Sequence, residues 1–225
     1  MPELPEVETT LRGIEPHILG KKITCIIVRQ PLLRWPVPKD ILKKKLEKNR
    51  IDRIRRRGKY LLRKSSKGFL IVHLGMSGSL RISEKKDLKK HDHIDICFDD
   101  GTILRYCDPR RFGCFLWSED IENHFLIKDL GPEPLGNNFN GDYLFFLSRK
   151  RKVSIKIFIM NSKVVVGVGN IYASEALFIS KINPLKEGCK LTSLQLNLLV
   201  KAIKFVLMKS IKLGGSSIND YALVS

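Results

Sequence analysis

Apolar residues in this chain follow two rhythms. Val7, Leu11, Ile14 and Ile18 recur at helical spacing and Gly20 follows as a stop, which predicts a helix from about Pro5 to Leu19. From Lys21 to Trp117 the apolar residues gather in short β-rich runs, Ile23–Val28, Tyr60–Leu62, Phe69–Leu74, Ile94–Phe98, Ile103–Tyr106 and Phe112–Trp117. Asp99-Asp100-Gly101 between two of these is a hairpin signal. This part reads as a β-sandwich or barrel. Beyond Trp117 the period is helical again. Ser118-Glu119-Asp120 opens a predicted helix that stops at Gly131-Pro132, and Pro132-Glu133-Pro134 reads as a linker. Further helices are predicted at about Asp142–Leu147 and Ile171–Ile179. A last one starts at Thr192, whose spacing to Gln195 is that of a capping box, and runs through Leu194, Leu198, Ile203, Val206 and Ile211 to Gly214-Gly215. Strands first and helices after make an α+β chain.

Composition narrows the partners. The chain has 225 residues, enough for one large domain or two small ones, and the change of rhythm favours two. Lysine and arginine number 41 against 23 acidic residues, a net charge of +18, which points to a polyanion and first of all to nucleic acid. An anionic membrane surface ranks second, since no apolar run approaches the roughly 20 residues that span a bilayer. Nothing at the start has the pattern of a secretion signal, so the expected location is the cytoplasm. The five cysteines, Cys25, Cys97, Cys107, Cys114 and Cys189, form no CxxC pair and read as reduced thiols, with no metal site expected.

Candidate chemistry begins at the first residues, Met1-Pro2-Glu3-Leu4-Pro5-Glu6. Removal of the initiator methionine leaves Pro2 as a secondary amine. An α-amino group has a pKa of about 7.7–8.0, so it can attack a sugar carbon near neutrality. The plainer reading is that Pro2 sets the first turn and the two glutamates favour a helix N-terminus. Arg50, Arg53, Arg55, Arg56, Arg57 and Lys59 form a basic run that reads as a solvated face able to follow phosphates. His91-Asp92-His93 offers two imidazoles on one face but no third ligand. Asp108-Pro109-Arg110-Arg111-Phe112-Gly113 combines a turn, two guanidiniums and an aromatic, a mix suited to wedging into a base stack; the alternative is a turn before a strand that opens on a core Phe. Gly167-Val168-Gly169 ahead of a helix suits binding of an anion, DNA phosphate above all, at the helix N-terminus.

Taken in order, Pro2-Glu3-Leu4-Pro5-Glu6-Val7-Glu8-Thr9, Gly58-Lys59-Tyr60-Leu61-Leu62, His73-Leu74-Gly75-Met76-Ser77-Gly78-Ser79-Leu80, Asp108-Pro109-Arg110-Arg111-Phe112-Gly113, Leu130-Gly131-Pro132-Glu133-Pro134-Leu135 and Val166-Gly167-Val168-Gly169-Asn170-Ile171-Tyr172-Ala173-Ser174-Glu175 resemble the formamidopyrimidine-DNA glycosylases. The resemblance implies an N-terminal β-sandwich with flanking helices over residues 1–131 and an all-α helix-two-turn-helix domain over 132–225. It implies a monomeric base-excision repair enzyme that removes 8-oxoguanine and formamidopyrimidines from double-stranded DNA through an N-terminal proline Schiff base, then cleaves the strand by β- and possibly δ-elimination. Pro2 would be the nucleophile and Glu3 the proton donor, with a raised pKa. Glu6 would support the site, and Lys59 would assist elimination. His91, Arg110, Arg151, Lys156 and Asn170 would bind DNA. Met76, Arg110 and Phe112 would fill the space left by the flipped nucleotide.

The family also carries one Zn2+ in a C-terminal finger with two CxxC pairs, followed by an arginine that grips the lesion phosphate. This sequence holds neither, so no cofactor is expected here. A second reading follows from that difference, a catalytically impaired DNA-binding remnant of such an enzyme.

Overall fold

The computed structural model describes residues 2–65, 67–83 and 88–215. Residues 216–225 of the predicted second domain lie outside them. The chain divides into two compact units, one built on Glu6–His124 together with Pro2, the other running from Phe125 onward and taking in Glu3–Pro5.

The first unit is an antiparallel β-sandwich. Strands β1 (Ile23–Val28), β5 (Ser79–Ser83), β6 (Asp92–Phe98) and β7 (Ile103–Cys107) form one sheet in the order β1-β6-β7-β5. Strands β2 (Ile54–Arg57), β3 (Tyr60–Ser65), β4 (Gly68–His73) and β8 (Cys114–Ser118) form the other in the order β2-β3-β4-β8. Alternation puts Ile94, Ile96 and Phe98 of one sheet and Leu70, Val72 and Phe115 of the other into a single core. Helix α1 (Leu4–Ile18) adds Val7, Leu11, Ile14 and Ile18 to that core, and α2 (Lys39–Leu46) adds Leu42 and Leu46. The opposite side of the first sheet buries charge beside Cys97 and Ile103. Asp95 pairs across strands with Arg105, which donates from Nε at 2.8 Å, and Arg81 donates to Asp92 at 2.9 and 2.6 Å.

The second unit is helical: α3 (Gly141–Ser148), α4 (Ile155–Met160), α5 (Asn170–Ile179) and α6 (Ser193–Lys212). The predicted capping box is formed, with the Thr192 hydroxyl accepting from Gln195 N–H and the Gln195 side chain accepting from Thr192 N–H. Its core gathers Phe139, Leu144, Phe158, Tyr172, Leu199 and Ile203.

Three expectations change. No helix follows Ser118: the stretch to Leu130 is a series of turns. The Ser118 hydroxyl donates to Asp120 C=O and the Asp120 carboxylate accepts from Asn123, local bonds that compete with a helix start. The basic run after Arg53 is not merely a solvated face, because Ile54–Arg57 is the edge strand β2, with Arg56 ion-paired to Glu8 at 2.8 Å. Helices α2 and α4 and strand β5 also had no counterpart in the apolar pattern.

Candidate active site

Pro2 and Glu3 are both buried, Glu3 to 2% exposure. The Glu3 carboxylate accepts from Gly169 N–H at 2.7 Å and Ile171 N–H at 3.0 Å, and Leu4 N–H donates to Gly167 C=O at 3.1 Å. These bonds lie at the N-terminus of α5, where Gly169 is the N-cap and two amides converge on the positive end of the helix. The anion expected there was a DNA phosphate; the amides of Gly169 and Ile171 are instead taken by the carboxylate of Glu3. Both glycines leave room for the N-terminal segment: a Cβ on Gly167 would lie 2.7 Å from the Leu4 side chain, and one on Gly169 would lie 2.3 Å from the Glu3 carboxyl carbon. The two N–H donors favour the ionised form of Glu3, and burial opposes it. Glu6 is buried in the first turn of α1.

Lys59 sits half-buried at the turn between β2 and β3, where Gly58 takes φ +56°. Register pairs the next residue, Tyr60, with His73 on β4, ring centroids 4.8 Å apart. His73 is held neutral, its pKa lowered to about 4 by burial and by the charges of Lys59 and Arg34. Its Nδ1 accepts from Gly75 N–H at 2.9 Å, which requires that nitrogen to be unprotonated. His73 thus ties the strand beside Lys59 to the loop carrying Met76.

That loop and the one before β8 form one edge of the sandwich. Met76 is 40% exposed and Phe112 45%, with the Arg110 guanidinium 5.0 Å from the Phe112 ring centroid. The alternative of Phe112 as a core residue therefore fails. Underneath lies Asp108, fully buried. One of its oxygens accepts from the Ser77 hydroxyl at 2.8 Å and Arg110 N–H at 3.3 Å; the other accepts from the Tyr106 hydroxyl and Gly113 N–H, both at 2.9 Å. His93 Nε2 lies 2.8 Å from the Asp108 carbonyl oxygen, and Asp108 N–H donates to His91 C=O at 3.1 Å. The backbones of the two loops touch, since a Cβ on Gly75 would lie 2.4 Å from Gly113 N. Met76, Arg110, Phe112 and His91 are thus gathered on a frame made by Asp108. Sequence reasoning missed Asp108 as an organiser. The signal was its place directly after β7 and before Pro109, where a buried strand hands over to a turn.

The remaining expected DNA contacts lie in the helical unit. Arg151 is exposed in the loop before α4, Lys156 is half-buried in the first turn of α4, and Asn170 is exposed at the first position of α5. Among the described residues, no group of three His, Cys, Asp or Glu side chains could hold a metal ion, and all five cysteines are free thiols. No described helix is long and apolar enough to cross a membrane.

Residues 1–115 match the model of the formamidopyrimidine-DNA glycosylase N-terminal domain, and residues 130–222 match that of the H2TH domain of the same enzymes. A formamidopyrimidine-DNA glycosylase of Cellvibrio japonicus is 53% identical over 98% of this chain and 82% of its own length. One from Escherichia coli is 49% identical over the same shares. Among solved structures, the Lactococcus lactis formamidopyrimidine-DNA glycosylase bound non-covalently to DNA containing an abasic site superposes with a TM-score of 0.87 at 38% identity, over 95% of this chain and 83% of that one. A complex of a mutant of the Lactococcus lactis enzyme with Fapy-dG containing DNA gives 0.90 at 38% identity, over 100% of this chain and 83% of that one. With both domain models matched in order and half of all residues shared with such relatives, the chain belongs to the formamidopyrimidine-DNA glycosylase family.

Proposed function

We propose that this protein is a base-excision repair enzyme that removes oxidised purines from double-stranded DNA through its N-terminal proline and then nicks the strand. The relatives' activity and the damaged DNA held by the structural neighbours support the glycosylase and its substrate. The Pro2 amine attacks C1′ of the damaged nucleotide, the bond from C1′ to the base breaks, and opening of the sugar ring leaves an iminium between Pro2 and C1′. Loss of a C2′ proton to a base then expels the 3′ phosphate by β-elimination. Glu3 handles the proton of ring opening, Glu6 supports it, and Lys59 assists elimination beside the flanking phosphate. His91, Arg110, Arg151, Lys156 and Asn170 hold the duplex, and Met76, Arg110 and Phe112 occupy the space vacated by the extruded nucleotide. The bacterial relatives support a cytoplasmic location for this work.

The observation that carries the reading is the anchoring of the residues next to Pro2. Three hydrogen bonds from Glu3 and Leu4 to the segment Gly167–Ile171 fix a stretch that in most chains would fray, so the amine is attached to rigid structure.

Trapping tests it. The purified protein is incubated with a duplex carrying 8-oxoguanine opposite cytosine and then reduced with borohydride. A covalent protein–DNA adduct is expected, and Pro2→Gly removes it. Tight binding without any adduct would reduce the protein to a DNA-binding remnant.

A further inference from the structure

The C-terminal end of α5 carries a cavity of about 490 Å3 whose wall includes Lys156, Phe178, Lys181 and Asn183. No carboxylate lines it, and neither lysine is ion-paired among the described residues. Lys156 comes from the first turn of α4, fixed by its N–H bond to Pro184 C=O at 3.3 Å. Lys181 comes from the cap of α5. Its N–H donates to Phe178 C=O and Ile182 N–H donates to Leu177 C=O, both at 3.0 Å, which is a Schellman motif with Lys181 at the left-handed position. That position favours glycine, yet Lys181 holds φ +55° there. Asn183 uses its side-chain oxygen to accept from Leu185 N–H, which turns its amide NH2 into a spare donor. Two ammonium groups, one amide and a backbone conformation kept at a cost converge on one concavity.

We infer that this cavity binds a phosphodiester of the DNA strand, with Lys181 as a phosphate contact additional to Lys156 and Asn170. The inference rests on the proposed function and extends its DNA-binding surface. Asn170, Ser174 and Phe178 are all exposed and spaced four residues apart, and Lys181 continues the same face of α5. This face runs roughly 15 Å from the first turn of the helix to its cap, long enough for a strand rather than a single ion. Phe178, 85% exposed, offers an apolar surface to a deoxyribose, which a free phosphate would not use. A strand meeting Asn170 at the start of the helix can therefore follow it to Lys181.

The test uses the full chain and a duplex with a tetrahydrofuran abasic analogue, with Kd measured as a function of salt. Lys181→Gly and Lys181→Asn each remove the charge without adding backbone strain, and Lys181→Arg keeps it. The neutral variants are expected to bind several-fold more weakly at low salt. Their plot of log K against log salt should be shallower by roughly 0.9, so that raising salt from about 50 to 200 mM costs them about 3.5-fold less than wild type. Lys181→Arg should keep the wild-type slope. Unchanged slopes in both neutral variants, with a higher Tm for Lys181→Gly, would overturn the inference and leave Lys181 a strained cap. A Tm of wild type raised by inorganic phosphate and lost in Lys181→Asn, with unchanged DNA slopes, would also overturn it, in favour of a free-ion site. Wild-type adduct formation under borohydride reports on the proposed function separately, so failure at Lys181 leaves that reading standing.

Discussion

Glu3 occupies the space that a side chain on Gly169 would need, and it takes that residue's amide hydrogen at 2.7 Å. The contact joins residues 166 apart in sequence. It makes Gly169 part of the positioning of the proposed proton donor.

Gly169→Ala tests that role. The backbone has φ −120°, which alanine adopts without strain, so what a new methyl meets first is the Glu3 carboxyl, the far end of a flexible side chain. The carboxylate should move and lose one bond, at a stability cost of about 1–2 kcal/mol in urea unfolding. Single-turnover excision of 8-oxoguanine should fall by roughly 100-fold or more, the usual worth of a placed proton donor. A variant that stays stable and fully active would show that the position of Glu3 is immaterial.

Asp108→Asn should loosen the exposed edge. Each carboxylate oxygen accepts two donors, so an amide NH2 in place of either oxygen faces donors it cannot satisfy. The expected loss is about 2–3 kcal/mol of stability. Affinity for a duplex with an abasic analogue should fall, while affinity for single-stranded DNA should change little. Equal loss on both DNAs would mean that the edge has no special dealings with a duplex gap.

Stability should fall as pH drops from about 6.5 to 4, in a window set by His73. Its folded pKa is lowered to about 4 from an ordinary 6.5, so across that range the unfolded chain binds a proton that the folded chain does not. The contribution is complete above about 6.5 and lost as pH falls through 4. It amounts to at most roughly 3 kcal/mol. Asp92 and Asp95, whose pKa values their arginine partners hold down against burial, lose their contribution only at lower pH. His73→Asn keeps an acceptor for the Gly75 amide and removes the titration. Unfolding free energies at pH 4, 5, 6 and 7 should therefore slope less in the variant than in wild type.

Local pattern carried most of this fold. The stripe Val7, Leu11, Ile14 and Ile18 lies where its period put it, and the capping box at Thr192 opens the longest helix. Strand β2 was hidden because an edge strand tolerates charge on both faces, so Ile54–Arg57 lacks the apolar run that marks the central strand β4. The segment from Ser118 misled for the opposite reason, as Ser, Asp and Asn spend their hydrogen bonds on turns as readily as on caps. At the site, Gly167 and Gly169 announced an anion, but its identity depended on Glu3, a partner no local window contains. Asp108 was visible as a turn residue only, since the Ser77 donor lies 31 residues away and the three near in sequence converge on one carboxylate only once the turn is formed.

The exposed edge separates the side chains proposed to meet the DNA from the residues that hold them up. Asp108, Ser77, Tyr106, Gly75 and Gly113 bear the shape of the two loops, whereas the Met76 and Phe112 side chains contribute nothing to the Asp108 hydrogen bonds. Mutation can therefore explore side-chain size and stacking at positions 76 and 112 with the scaffold intact, so the proposed filling of a duplex gap can be retuned without first having to refold.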